Sequence, residues 1–169
     1  PRTAYALSKI VGESACLNYL RMYDVPLTIV RFHNVYGPRM GYDHVIPELM
    51  IKAKNSHKYL EVFSVTHSRA FCYISDAIRA ILILTEDSKS SGHIFNVGNS
   101  SEEISMGGLA KKIIGLINPT LKIKVMPIQP GSPKRRCPDI KKLQVAINFR
   151  PQVSLSEGIK STWDWYKRQ

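Results

Sequence analysis

The sequence predicts an α/β fold, on three observations. Short apolar or β-branched segments alternate with stretches whose apolar residues recur at helical spacing. The chain, at 169 residues, is long enough for one ordinary domain with a sizeable core. Its composition, 44% apolar and 22% charged, is that of a globular protein rather than a disordered or fibrous one.

Residues 3–22 read as a helix, because Leu7, Ile10, Val11, Ala15, Leu17 and Leu20 recur at helical spacing and Pro26 lies just past the end. Residues 26–32, Pro-Leu-Thr-Ile-Val-Arg-Phe, are short, apolar and partly β-branched, the pattern of a buried strand. A loop holding glycine and proline covers 34–41. A helix is expected over 45–54, with Pro47 in its first turn, where a missing N–H is tolerated. Residues 70–74 predict a strand, and Ser75 or Asp76 is placed to cap a helix running to Leu84. Another strand is expected over 94–97. Ser105 then caps a helix through Ile117, and 121–126 predict a further strand. Two short helices, over 139–146 and 154–166, end the pattern.

Composition narrows the function classes. No apolar run reaches the roughly eighteen residues of a membrane span, and no apolar stretch sits behind a basic cap at the start, so neither a span nor a signal peptide is expected. The three cysteines, Cys16, Cys72 and Cys137, are odd in number and far apart. They fit neither a disulfide framework nor a metal-binding CxxC, and they suit a reducing, cytoplasmic location. The histidines never pair at the spacing of HExxH, so no metal is expected. The formal net charge is +11, which suits a nucleic-acid binder or a protein whose substrate carries phosphates. The basic residues are mostly scattered, and the aromatic-basic interleaving of RNA recognition is missing, so nucleic acid is not the expected partner. A basic binding module without chemistry is the competing class. No GxGxxG turn and no P-loop occurs: Gly107-Gly108 opens a helix, but no third glycine comes at the needed spacing. The pyrophosphate cradle of a dinucleotide is therefore not in this sequence.

Tyr5 and Lys9 form a Tyr-x-x-x-Lys pair, one helical turn apart on one face. A phenol ordinarily ionises near pH ~10, and a neighbouring ammonium stabilises the phenolate, so such a pair can exchange a proton with a sugar hydroxyl. By itself the pair is expected roughly once by chance. Its company is more specific. Tyr5-Ala6-Leu7-Ser8-Lys9 precedes Arg31-Phe32-His33-Asn34-Val35-Tyr36-Gly37-Pro38-Arg39, Arg69-Ala70-Phe71-Cys72-Tyr73-Ile74-Ser75-Asp76, Phe95-Asn96-Val97-Gly98-Asn99 and Arg135-Arg136-Cys137-Pro138-Asp139-Ile140. Phe149-Arg150-Pro151 and Glu157-Gly158-Ile159 end the series. These blocks, in this order, resemble the extended short-chain dehydrogenase/reductase family, and within it the NAD-dependent nucleotide-sugar epimerases, dehydratases and decarboxylases.

The resemblance implies the C-terminal part of a Rossmann-like, NAD-binding sheet plus a smaller α/β substrate-binding domain. A full member is about twice this length, with its catalytic Tyr near the middle. Residues 1–169 are therefore expected to be the C-terminal half, starting at the catalytic helix, without the glycine-rich cofactor half. Tyr5 matches the catalytic acid/base, and Lys9 matches the residue that assists it and holds the nicotinamide ribose. The backbone around Phe32, Asn34 and Val35 matches the wall beside the nicotinamide, and Asn34 also matches a substrate contact, unless it serves only the turn. His44 and Val45 fall on the nucleotide side, where galactose epimerases carry Asn at the position of His44. Arg69 and Arg136 match the arginines that clamp the substrate diphosphate, with Arg135 the competitor of Arg136. Asp139 matches an acid near the nucleotide ribose. Phe63-Ser64-Val65-Thr66-His67-Ser68 replaces the glycine-rich turn that many relatives carry before the arginine.

The function this resemblance implies is 4-epimerisation of a nucleotide sugar, with UDP-sugars favoured, through a transient 4-keto sugar. A UDP-glucuronate decarboxylase or a 4,6-dehydratase of the same family is the alternative. NAD is the expected cofactor, a homodimer the expected assembly of the full-length enzyme, and no turnover is expected from this piece alone.

Overall fold

In the computed structural model, which describes residues 2–169, the chain opens on α1 (Arg2–Tyr23). Pro1, where the expected half begins, lies outside the described residues. Then come β1 (Ile29–Phe32), β2 (Val35–Tyr36), α2 (Val45–Asn55), β3 (Tyr59–Phe63), β4 (Ser68–Ala70), β5 (Cys72–Tyr73) and α3 (Ile74–Glu86). The remaining elements are β6 (Ile94–Val97), β7 (Glu103–Ser105), α4 (Met106–Ile117), β8 (Lys122–Met126), β9 (Arg135–Arg136), α5 (Lys141–Ile147) and α6 (Leu155–Tyr166). Among the described residues no helix is long and apolar enough to cross a membrane.

Strands far apart in sequence pair in parallel: β1 with β6, β2 with β5 and β3 with β8. β4 lies between β7, antiparallel to it, and β9, parallel to it. Parallel pairing requires crossovers, which the intervening helices supply. The apolar faces of those helices make two cores. In one, Leu49, Met50 and Ala53 of α2 meet Leu109 and Ile113 of α4, Leu155 and Ile159 of α6, and Leu60 and Val62 of β3. In the other, Ala77, Ala80 and Leu84 of α3 pack with Phe95 and Val97 of β6 and with Leu143 and Phe149.

β3 has no counterpart among the elements expected from the sequence. Leu60 and Val62 are buried while Tyr59 and Glu61 are exposed, a period-2 pattern too short to stand out before β8 is seen beside it in register, Tyr59 opposite Lys122. The strand expected over 70–74 is interrupted, with β4 ending at Ala70 and β5 starting at Cys72. Ser105 caps as expected, its hydroxyl accepting from Gly108 N–H at 3.0 Å. Ser154 also caps, in a reciprocal capping box with Glu157 that is not singled out from the sequence.

The expected cap of α3 is overturned. Tyr73 holds the N-cap position without a side-chain cap bond, and neither Ser75 nor Asp76 caps the helix. Asp76 is buried instead, and its carboxylate accepts from the backbone N–H groups of Gln152 and Val153 at 3.0 Å and from Arg79 at 2.7 Å. Arg79 also donates to Arg150 O and lies over the Phe149 ring. The buried carboxylate thus has its oxygens met by Arg79 and two backbone N–H groups, as a charge inside a protein requires.

α1 stands apart from both cores. None of its described side chains is buried, and Tyr5, Ile10, Val11 and Met22 are among the most exposed apolar groups. Glu13 ties it to β1 through a two-pronged pair with Arg31, which holds the Glu13 carboxyl below its usual range.

Candidate functional site

The site is built on the β4–β9 pair. Parallel register sets Arg69 of β4 opposite Arg136 of β9, so two guanidinium-bearing residues lie side by side. Successive residues of a strand point to opposite faces, which separates Arg136 from its neighbour. Arg135 turns to Glu103 and binds it with Nε at 2.9 Å and Nη2 at 2.8 Å. Arg136 lines a cavity of about 390 Å³ together with Arg69. Of the two arginines, Arg136 faces the cavity and Arg135 faces Glu103.

Glu103 anchors this small sheet. Hydrogen bonds from Arg135, then from the Ser68 hydroxyl, hold its carboxyl down to about 2 from the ordinary 4.5. A lowered carboxylate pKa stabilises the fold above the unfolded value and loses that contribution as pH falls through the folded one. The Arg135–Glu103 clasp is therefore expected to be intact above pH about 4.5 and to be lost as pH falls towards about 2. A side-chain carboxyl titration by NMR checks this; a Glu103 midpoint near that of a free glutamate would contradict it.

Asn34 adopts a left-handed conformation, φ 44°, which Asn tolerates better than most residues, and its Nδ2 donates to Ala70 O at 2.8 Å. It serves the turn and also bolts the end of β1 to the β4–β5 junction, against the cavity wall. Gly98 keeps the other side close: a Cβ there would meet Pro138 Cγ at 2.7 Å, so only glycine lets the segment after Arg136 approach β6 this closely.

Five of the residues singled out from the sequence, Asn34, His44, Val45, Arg69 and Arg136, line this one cavity. Val35 lines a smaller cavity that shares Asn34, His44 and Val45 with the first. Tyr5, Lys9, Phe32 and Asp139 are outside both linings. Tyr5 and Lys9 stand together on α1, with Lys9 Nζ 5.2 Å from the centre of the Tyr5 ring. Phe32 is half exposed at the end of β1. Asp139 accepts from Lys141 N–H at 2.9 Å and so secures the start of α5. Phe63, Ser64, Gln129 and Ser132 also line the cavity; Phe63 and Ser64 belong to the segment that replaces the glycine-rich turn before the arginine, and the sequence motifs do not mark Gln129 and Ser132. The alternation in 59–63 is the available signal for Phe63, whereas the segment 127–134 carries no periodicity that marks it as a wall.

Two other reactive-looking groups are structural. Tyr36 is buried, donates to Leu155 O, and its phenol is pushed up by burial; Cys72 is pushed up to about 12, mainly by burial.

Residues 1–98 match the profile of the NAD dependent epimerase/dehydratase family. The chain belongs to that family. It is 35% identical to the UDP-N-acetyl-alpha-D-glucosaminuronate decarboxylase of Bacillus cytotoxicus, across 98% of this chain and 54% of that protein. It is 34% identical to UDP-glucuronic acid decarboxylase 3 of Arabidopsis thaliana, across 94% of this chain and 46% of the other. The crystal structure of UDP-glucuronic acid 4-epimerase from Bacillus cereus, in complex with UDP-glucuronic acid and NAD, superimposes with a TM-score of 0.87 at 29% identity, covering 97% of this chain and 52% of that one. This epimerase/dehydratase chain spans about half the length of the curated relatives it matches.

The family is NAD dependent. Tyr5 and Lys9 offer a hydroxyl and an ammonium on one exposed helix face, a set able to hydrogen-bond a ribose. Among the described residues His33 Nε2 is the buried side-chain polar atom without a hydrogen-bond partner, and it lies in the β1–β2 connection expected beside the nicotinamide.

Proposed function

We propose that this chain is the substrate-binding, C-terminal half of an NAD-dependent UDP-sugar 4-epimerase whose substrate is a UDP-hexuronic acid. The observation that carries the reading is the register pairing of Arg69 and Arg136 at one cavity. Two planar forks side by side match the two phosphates of a nucleoside diphosphate. The likeness to a UDP-glucuronic acid 4-epimerase over nearly the whole chain supports the uronate and the reaction. Decarboxylation is the second reading, favoured because the relatives from Bacillus cytotoxicus and Arabidopsis thaliana are both decarboxylases of UDP-linked uronic acids.

In this reading Arg69 and Arg136 hold the diphosphate, and His44 and Val45 close the nucleotide side. Tyr5 Oη takes the proton of the sugar C4 hydroxyl, and the Lys9 ammonium stabilises the phenolate that accepts it. Tyr5 and Lys9 would hold the ribose of bound NAD, which would supply a reversible hydride acceptor for C4, the chemistry of a transient 4-keto sugar. Tyr5 then gives its proton back. Anchoring through the diphosphate lets the sugar turn over between the two proton transfers without leaving the protein.

Incubation of the 169-residue chain with UDP-glucuronic acid and NAD is expected to give no product, because no dinucleotide pyrophosphate cradle occurs in this sequence. Appearance of the C4 epimer or of carbon dioxide, abolished in Tyr5→Phe, would overturn the inactivity and choose between the two reactions. In the same reading α1 supplies the homodimer surface, since its apolar groups are uncovered. Sedimentation of the chain is expected to show species larger than a monomer; a monodisperse monomer would remove α1 from that role.

A further inference from the structure

Arg69 is held by a short chain of polar groups that begins at the cavity wall. Its Nη1 donates to Ser68 O at 2.6 Å and its Nη2 to Ser132 Oγ at 2.9 Å. Ser132 Oγ in turn lies 3.4 Å from His67 Nδ1. The Ser132 oxygen accepts from Arg69, so its own proton is available to His67 Nδ1 when the imidazole carries its hydrogen on Nε2. His67 is itself immobilised. It is 5% exposed, its N–H donates to Ser64 O at 2.8 Å, and its O accepts from Met106 N–H at 2.8 Å.

Ser132 needs such a post. It sits in 127–134, a stretch containing Pro127, Pro130, Gly131 and Pro133 with no helix or strand of its own. Backbone bonds tie the ends of this stretch to the turn before β4: Ser64 N–H to Pro127 O, and Ser68 N–H to Lys134 O at 2.9 Å. Near the first end Gln129 N–H is held by Ser64 Oγ. Ser132 N–H is held within the stretch by Gln129 O at 3.2 Å, and its hydroxyl meets Arg69 and His67.

We propose that His67 is a positioning residue for diphosphate binding, acting through Ser132 to fix the plane of the Arg69 guanidinium at the cavity. The proposal rests on the reading of Arg69 as a diphosphate ligand. A histidine buried only for packing would be replaceable by an apolar ring of similar size, and its effect would be independent of Arg69. A positioning histidine acts only while Arg69 is present.

UDP titrations of the 169-residue chain, followed by NMR, test the difference. His67→Phe and Ser132→Ala are each expected to weaken UDP binding about 3- to 10-fold, the worth of one lost hydrogen bond. In an Arg69→Ala background the same changes are expected to have no further effect, and His67→Asn, which keeps a short polar side chain, is expected to recover most of the affinity. Wild-type affinity in both His67→Phe and Ser132→Ala, or losses that add fully to that of Arg69→Ala, would overturn the positioning role. If His67→Phe fails to fold, Ser132→Ala decides by the same criteria. Failure of the wild-type chain to bind UDP would instead remove the diphosphate reading itself, and this proposal with it.

Discussion

Arg69→Ala and Arg136→Ala are each expected to weaken binding of UDP by about 10- to 100-fold, and the double variant to abolish measurable binding. A hydrogen bond involving a charged group is worth roughly 1.5–3 kcal/mol, and each arginine can form a bidentate set with a phosphate. The two residues are opposite each other in the β4–β9 register and share the cavity wall, so neither can cover the loss of the other at a second phosphate. Lysine keeps the charge without the planar fork, and Arg69→Lys is expected to recover only part of the affinity. Added salt is expected to weaken the wild-type complex more than that of the double variant, because the lost term is electrostatic. Arg135→Ala is the control. Its guanidinium is committed to Glu103, and near pH 7 its removal is expected to change UDP affinity little. Calorimetry on the wild-type chain and these variants checks the set; an Arg135→Ala loss larger than that of Arg136→Ala would overturn the proposed diphosphate role of Arg136.

Asp76→Ala is expected to destabilise the chain by about 3–5 kcal/mol, the usual result of removing one partner from a buried charge cluster. Asp76 is 1% exposed, and its loss would strand the Gln152 and Val153 N–H groups and deprive Arg79 of its carboxylate. Folded domains are stable by only about 5–15 kcal/mol, so this one change removes a large share. Asp76→Asn is expected to fall between, because its amide NH2 would meet donors where the carboxylate offers acceptors. Urea unfolding followed by far-UV circular dichroism measures both. A loss under about 1 kcal/mol for Asp76→Ala would mean that the clasp joining α3 to residues 149–153 contributes little.

Several parts of this fold are legible in the chain because their signals are local. The helix cap at Ser105 is read correctly, since a cap requires only a hydroxyl and an N–H two or three residues on. Asp76 has the same local look and a different fate, because its partners at 152 and 153 are about 76 residues away and no local pattern announces them. β3 and β9 share that difficulty. Two arginines do not read as a strand, and β9 becomes one only through pairing with β4.

Local patterns along the chain are enough for the α/β class and the family, and they single out Asn34, His44, Val45, Arg69 and Arg136, which the fold brings to one cavity. Those rest on short motifs whose meaning is complete within a few residues. Long-range packing alone determines that Arg136 and not Arg135 reaches the cavity, that Arg69 lies beside it, and that Asp139 secures a helix outside the cavity lining. It also brings His67 and Ser132 together beside Arg69, 65 residues apart along the chain. The physical reason is the same in each case. A motif states which groups are available, whereas register and strand alternation set which face each side chain meets, and those depend on partners far away in sequence.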